Sequence, residues 1–280
     1  MSTASSPDSA RHPNARALPL DTAKIIATVH DGIGWITFNH PERRNAMSLE
    51  MWTGLGDAIE DFEADAEVRV VVMRGAGGKA FVSGADISEF DEHRANAQQK
   101  QRYGEIAARA HHGLARFSKP LIAMIDGFCI GGGLALALSA DLRFAAPGSR
   151  FGIPAAKLGL GYEYEGLAVL ARLVGPSAAK DLMFSARFLD TDEALRIGLI
   201  NAVVDAAALE EHVRAYATQV ARNAPLTVRA AKAAVRLFET YSAADDAEVA
   251  TLVDRCFDSD DYREGRTAFL EKRTPQFNGR

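Results

Sequence analysis

Short runs of β-branched and aromatic residues alternate with helical-period stretches along the chain. Lys24–His30 (KIIATVH) and Ile33–Asn39 (IGWITFN) read as strands, and Asp31-Gly32 between them predicts a hairpin, because the tight turn needs positive φ. Ser48–Ala66 reads as a helix: Ser48 suits an N-cap, and Leu49, Trp52, Leu55, Ile59 and Phe62 recur at helical spacing. Val68–Arg74 reads as a buried strand with a glycine-rich loop at Gly75–Gly78 behind it, and Phe81–Asp86 leads into a further helical region. Leu121–Asp126 and Leu142–Ala146 read as strands on either side of a helix over Leu134–Ala140. Asp190–Glu193 (DTDE) reads as a helix start capped by Asp190 or Thr191. From Ala206 the pattern is helical only, near 206–223, 226–240, 243–257 and 259–271. Strand–helix alternation predicts an α/β fold with crossover units and parallel pairing.

Leu121–Ala140 is twenty residues long with one charge, Asp126, which raises the question of a membrane span. Gly127 and Gly131-Gly132-Gly133 interrupt it, so a buried strand, a glycine turn and a buried helix is the better reading. The first twenty residues are polar and lack the apolar core of a secretory signal; they read as a disordered tail. With 280 residues, 25% charged positions and a net charge of −5, the chain is an ordinary globular protein and a poor nucleic-acid binder. Two cysteines, Cys129 and Cys256, make no disulfide framework and point to a reducing, cytoplasmic compartment.

Two segments carry candidate chemistry. In Lys79–Ile87 (KAFVSGADI), Gly84 permits a turn, Asp86 suits a cap, and the Ala85 N–H is left near a helix N-terminus. In Asp126–Gly133 (DGFCIGGG), a strand runs into glycines and then into a helix whose first N–H groups are free. Each alone is better read as a capped loop or as tight strand–helix packing. Together they place two backbone donors at strand-to-helix corners, the makings of an oxyanion hole. His111-His112 has no companion ligands and suggests no metal site, and Cys129 reads as a small buried apolar residue.

Both segments resemble the signature loops of the crotonase (enoyl-CoA hydratase/isomerase) superfamily. Asn39-His40-Pro41 with Asn45–Ser48, Phe151–Pro154, Leu158-Gly159, Ala194–Asn201 and Phe269–Arg273 resemble further family stretches in the same order. The resemblance implies a spiral of ββα turns over 21–205 after the 1–20 tail, and a helical C-terminal part over 206–280 that assembles trimers or dimers of trimers. It implies an acyl-CoA thioester substrate and neither a metal nor a redox cofactor. It implies that Ala85 and Gly132 supply the oxyanion-hole N–H groups, that Ala46 and Ala85, Asp86, Ile87 and Ser88 line the pantetheine path, and that Lys272 reaches the nucleotide phosphates.

The chain departs from the family where hydratases carry two glutamates. Ala135 follows the glycine run and Ala155 follows Phe-Gly-Ile-Pro, and a methyl group cannot handle a proton. Leu158–Gly166 (LGLGYEYEG) offers substitutes. If extended, it would turn Tyr162 and Tyr164 one way and Glu163 and Glu165 the other. The tyrosine resembles the corresponding loop of methylmalonyl-CoA decarboxylase, although that enzyme usually has histidine where this chain has Ala85. Three readings follow: a hydratase or isomerase using Glu163 or Glu165, a decarboxylase of a malonyl-type CoA using Tyr162, or an acyl-CoA-binding protein without catalysis.

Overall fold

The computed structural model describes residues 15–89, 97–162, 164–223, 225–239, 258–273 and 275. Residues 16–20 of the expected tail belong to the fold: Arg16–Ala17 form β1, paired with Val29 and Thr28, and Leu18 and Leu20 pack against the core, while residues 1–14 lie outside the described residues. The hairpin forms as expected, with Asp31 and Gly32 both at positive φ (52° and 76°) between antiparallel β2 (Ile25–His30) and β3 (Ile33–Phe38).

Beyond β3 the chain winds in turns of one longer strand, one short strand and a helix. The longer strands β4 (Val70–Gly75), β6 (Leu121–Ile125), β8 (Leu142–Ala145) and β10 (Ala202–Val203) extend the first sheet in the order β1-β2-β3-β4-β6-β8-β10, all parallel from β3 onward. The short strands β5 (Ala80–Val82), β7 (Phe128–Ile130) and β9 (Arg150–Gly152) build a second, parallel sheet. Leu121–Ala140 is thus β6, β7 and the helix that follows, and no helix among the described residues is long and apolar enough to cross a membrane.

Parallel strands joined by crossovers need cover on both faces. On one face lie α1 (Leu49–Ala64), capped by the Ser48 hydroxyl accepting from the Met51 N–H (3.3 Å), and α2 (Ala97–Arg116). The α1 residues Met51, Trp52, Leu55, Ile59 and Phe62 are buried there, each worth about 1.5–3 kcal/mol. α3 (Gly132–Leu138), α4 (Tyr164–Ser185) and α5 (Thr191–Arg196) follow, with the Asp190 carboxylate capping α5 through the Glu193 N–H (2.9 Å). α6 (Ala206–Arg222) opens the all-helical part, and it lays Leu209, Val213 and Ala217 on the sheet's other face against Trp35, Val72 and Ile122. α7 (Pro225–Glu239) and α8 (Asp260–Leu270) complete the described chain; the helix expected near 243–257 lies outside the described residues.

Candidate active site

β5 and β7 run in parallel with Val82 opposite Cys129, so their C-terminal ends open side by side. Beyond β5 the chain passes Gly84 (φ 115°) into a parallel bridge between Ala85 and Met47. The Met47 N–H donates to the Gly84 carbonyl (2.8 Å), and the Asp86 N–H donates to the Met47 carbonyl (2.9 Å). A parallel bridge of this kind uses the groups flanking Ala85, so the N–H of Ala85 itself faces away from Met47.

α3 begins on that far side. Gly131 takes φ 56° and ψ −119°, which a side chain would strain, and its N–H donates to the Gly152 carbonyl (2.8 Å). A Cβ on Gly132 would stand 3.9 Å from the Ala85 nitrogen, and one on Gly131 3.9 Å from the Gly84 Cα. Gly133 sits so tightly on β5 that its Cβ would fall 2.0 Å from the Val82 carbonyl oxygen. Missing side chains thus bring the two loops together. Among the described residues, neither the Ala85 nor the Gly132 N–H has a hydrogen-bond partner. The helix N-terminus at Gly132 adds a positive partial charge.

Asn45, quoted above only as part of a motif, fixes the approach. Buried and left-handed (φ 56°), it accepts from the His40 N–H (2.9 Å) and donates to the carbonyls of Ala76 (2.9 Å) and Ala80 (2.8 Å). It ties the turn before Met47 to the glycine loop and to β5. Asn and Asp tolerate the left-handed region best among residues with side chains, which was the signal available in the sequence.

The other expected residues fall as follows. Ala46 is buried, and Ser88 is exposed with its hydroxyl (2.6 Å) and N–H (3.0 Å) both donating to the Asp86 carboxylate. Ile87 opens a 3-10 turn, Ile87–Glu89; the start of the helical region expected after it, residues 90–96, lies outside the described residues. Ala135 is half-buried on α3, and Ala155 is buried in the 3-10 turn Pro154–Leu158. The Tyr162 side chain is partly buried against the core, and this desolvation pushes its phenol up to about 12. The condition for alternation over residues 162–165, an extended course, is not met at Tyr164 and Glu165. Tyr164 and Glu165 are the first two residues of α4, where Leu167, Leu170, Leu173 and Val174 impose helical period; Glu163 lies outside the described residues. Lys272 is exposed in a left-handed turn (φ 54°) after α8, its ammonium without an ion pair among the described residues.

No cluster of metal-ligating side chains occurs among the described residues. His111 packs on the Trp52 ring (4.8 Å between centroids), and burial depresses its pKa to about 4, so it is a neutral core imidazole. Burial also raises the Cys129 thiol, which donates weakly to the Gly133 carbonyl (3.5 Å) and so supports α3.

Two adjacent loops, each with an amide that has no partner among the described residues, on a spiral of paired strands, define the class. The profile of the enoyl-CoA hydratase/isomerase family matches residues 28–280, and the chain belongs to that family as one of its enzymes. It is 35% identical to the short-chain-enoyl-CoA hydratase of Clostridium acetobutylicum, covering 91% of this chain and 97% of that one. A solved enoyl-CoA hydratase/carnithine racemase from Magnetospirillum magneticum is 39% identical with a TM-score of 0.76, covering 93% of this chain and 97% of that chain. A methylmalonyl-CoA decarboxylase in complex with 2-nitronate-propionyl-CoA is 29% identical with a TM-score of 0.83, covering 92% of this chain and 99% of that chain.

Proposed function

We propose that this enzyme holds the thioester oxygen of an acyl-CoA between the Ala85 and Gly132 N–H groups and works through the enolate that forms there. The observation that carries this reading is the proximity of two amides, neither with a partner among the described residues, at the mouths of adjacent strands. As negative charge grows on the oxygen, two fixed donors and a helix N-terminus stabilise it; one such donor is typically worth about 2.7–4 kcal/mol. Ala46 and the Ala85–Ser88 loop would guide the pantetheine arm, and Lys272 would meet the nucleotide phosphates. A homotrimer or dimer of trimers is the assembly proposed, supported by the exposed Phe184 and Phe188; sedimentation would test it.

A second reading is favoured by the alanines. Hydration needs an acid and a base, and Ala135 and Ala155 supply neither. Decarboxylation of a malonyl-type CoA needs less. The electron pair of the Cα–carboxylate bond moves to Cα and the thioester oxygen, CO₂ leaves, and a proton from a neutral donor or water completes Cα. Tyr162, kept neutral by burial, suits that donor role, and the 0.83 TM-score to the decarboxylase supports it.

The test compares propionyl-CoA with 2-nitropropionyl-CoA, whose nitronate mimics the enolate. Binding of the nitronate about 10²-fold tighter or more supports the hole; equal affinity overturns it. Crotonyl-CoA hydration and CO₂ release from methylmalonyl-CoA then separate the two reactions.

A further inference from the structure

We infer that α8 positions Tyr162, and that Gly265 is the residue through which it does so. This rests on the proposed role of the Tyr162 phenol. Gly265 is buried in α8, where a Cβ would lie 2.4 Å from the Leu158 carbonyl oxygen, 2.5 Å from its carbon and 2.7 Å from its Cα. All three are backbone atoms, so no side-chain rotation can relieve the overlap. Any residue but glycine must push α8 and Leu158 apart.

Leu158 is four residues from Tyr162, and the chain between them is held at two points. On one side the Ala155 carbonyl accepts from the N–H groups of Gly159 and Leu160 (3.0 Å from the latter), with Gly159 left-handed (φ 65°). On the other side stands α8. The helix is itself secured: the Ser259 hydroxyl accepts from the Tyr262 N–H (3.0 Å), Tyr262 and Ala268 are buried, and the Arg273 guanidinium forks onto Glu264 (2.5 and 2.7 Å). The C-terminal helix therefore acts as a wall behind the loop that presents the phenol. A displacement of half an ångström or more at Leu158 would carry to Tyr162, and misplacement of about 1 Å can cost about 10²-fold in rate. Gly265 touches no substrate in this account. It is a positioning residue.

A double-mutant cycle tests this, with wild type, Gly265→Ala, Tyr162→Phe and the double variant assayed for CO₂ release from methylmalonyl-CoA. Gly265→Ala is expected to lower kcat about 10-fold or more, with KM within about 3-fold, and to have less than about 2-fold effect in the Tyr162→Phe background. Should Gly265→Ala fail to fold, Arg273→Gln loosens α8 from its exposed side without steric load, and its smaller loss must likewise vanish without the phenol. Equal losses in both backgrounds, or no loss from Gly265→Ala while Tyr162→Phe is impaired, overturn the inference and leave the Tyr162 role standing. A silent Tyr162→Phe removes that role and the inference with it, while nitronate binding still reports separately on the amides.

Discussion

Met47 and Ala85 are paired in a single parallel bridge, and the pairing occupies the groups on either side of Ala85 while leaving the Ala85 N–H without a partner among the described residues. The amide stays put because Gly84 and Asp86 are anchored to Met47 at 2.8 and 2.9 Å. Such preorganisation is what electrostatic catalysis needs: a donor that does not have to be turned when charge develops.

Adjacent glycines should answer an alanine scan in opposite ways. At Gly132 a Cβ finds ordinary contact, 3.9 Å from the Ala85 nitrogen, so Gly132→Ala should fold with an unchanged melting temperature. Its methyl group would stand in the space between the two amides, and kcat should fall about 10²–10³-fold. At Gly133 a Cβ would fall 2.0 Å from the Val82 carbonyl, so Gly133→Ala should lower the melting temperature, with an overpacking cost of about 1–3 kcal/mol or more. Thermal scans and steady-state kinetics on the two variants decide; a Gly132→Ala enzyme of full activity would remove the amide from the mechanism.

Asn45→Ala should destabilise the fold by about 3 kcal/mol or more in urea unfolding. It strands the carbonyls of Ala76 and Ala80 and the His40 N–H, at about 1–3 kcal/mol for each group left dry, and it places alanine at φ 56°. Asn45→Asp keeps the acceptor for His40 but turns a carboxylate oxygen onto the Ala76 and Ala80 carbonyls in a buried site, so it should destabilise at least as much as Asn45→Ala. A loss under about 0.5 kcal/mol for Asn45→Ala would mean that water replaces all three bonds.

Periodicity and turn chemistry in the sequence disclosed β2, β3, β4, β6 and β8 of the first sheet, the hairpin, α1 and the cap on α5, with local causes such as positive φ at Asp31-Gly32 or a hydroxyl or carboxylate three residues before an N–H; the two-residue edge strands β1 and β10 gave no such signal. The second sheet was hidden. β5, β7 and β9 have three residues each, too few for any period to register, and they are strands only because three turns of the spiral bring them together. The candidate amides were legible as glycine patterns, since close backbone approach excludes Cβ atoms. The sequence left the course of residues 162–165 open because its polar residues carry no period of their own; the apolar positions that make Tyr164 and Glu165 helical come later in α4. The cover that α6 gives the sheet depends on tertiary placement of a stripe any amphipathic helix could show.

Restoring the acids should convert the site toward hydration. Ala135 is half-buried on α3, so a glutamate there would keep partial contact with solvent; Ala155 is buried, and a glutamate in its place would have its pKa raised by desolvation. The wild type should hydrate crotonyl-CoA slowly. Ala135→Glu should raise that rate, and Ala135→Glu/Ala155→Glu should raise it further, toward the 10²–10⁴-fold that general acid–base help commonly supplies. The single Ala155→Glu variant should fold less stably. Loss of enone absorbance follows the reaction; a double variant no faster than wild type would place the missing groups elsewhere.

The Tyr162 phenol gives the chemistry a pH signature and the fold a second one. Burial raises its pKa from 10.0 to about 12, so it stays protonated across the working range. As a neutral donor it should produce no inflection in kcat between pH 6 and 10; a rate that climbs as pH nears 10 and flattens in Tyr162→Phe would instead identify a phenolate base and sink the donor assignment. The stability effect has a definite sign. The folded pKa lies above the unfolded one, so the folded state keeps the proton that the unfolded state has begun to lose. The contribution is whole below pH 10 and declines as pH rises through 12. Relative to Tyr162→Phe, which lacks the group, the wild type should lose about 1.4 kcal/mol of unfolding free energy between pH 9 and pH 11, the equivalent of about one pKa unit. Urea titrations of both proteins at the two pH values cancel every other titrating side chain. A difference that stays flat would mean that the phenol is solvated, and a solvated phenol could not be held neutral against the acyl group.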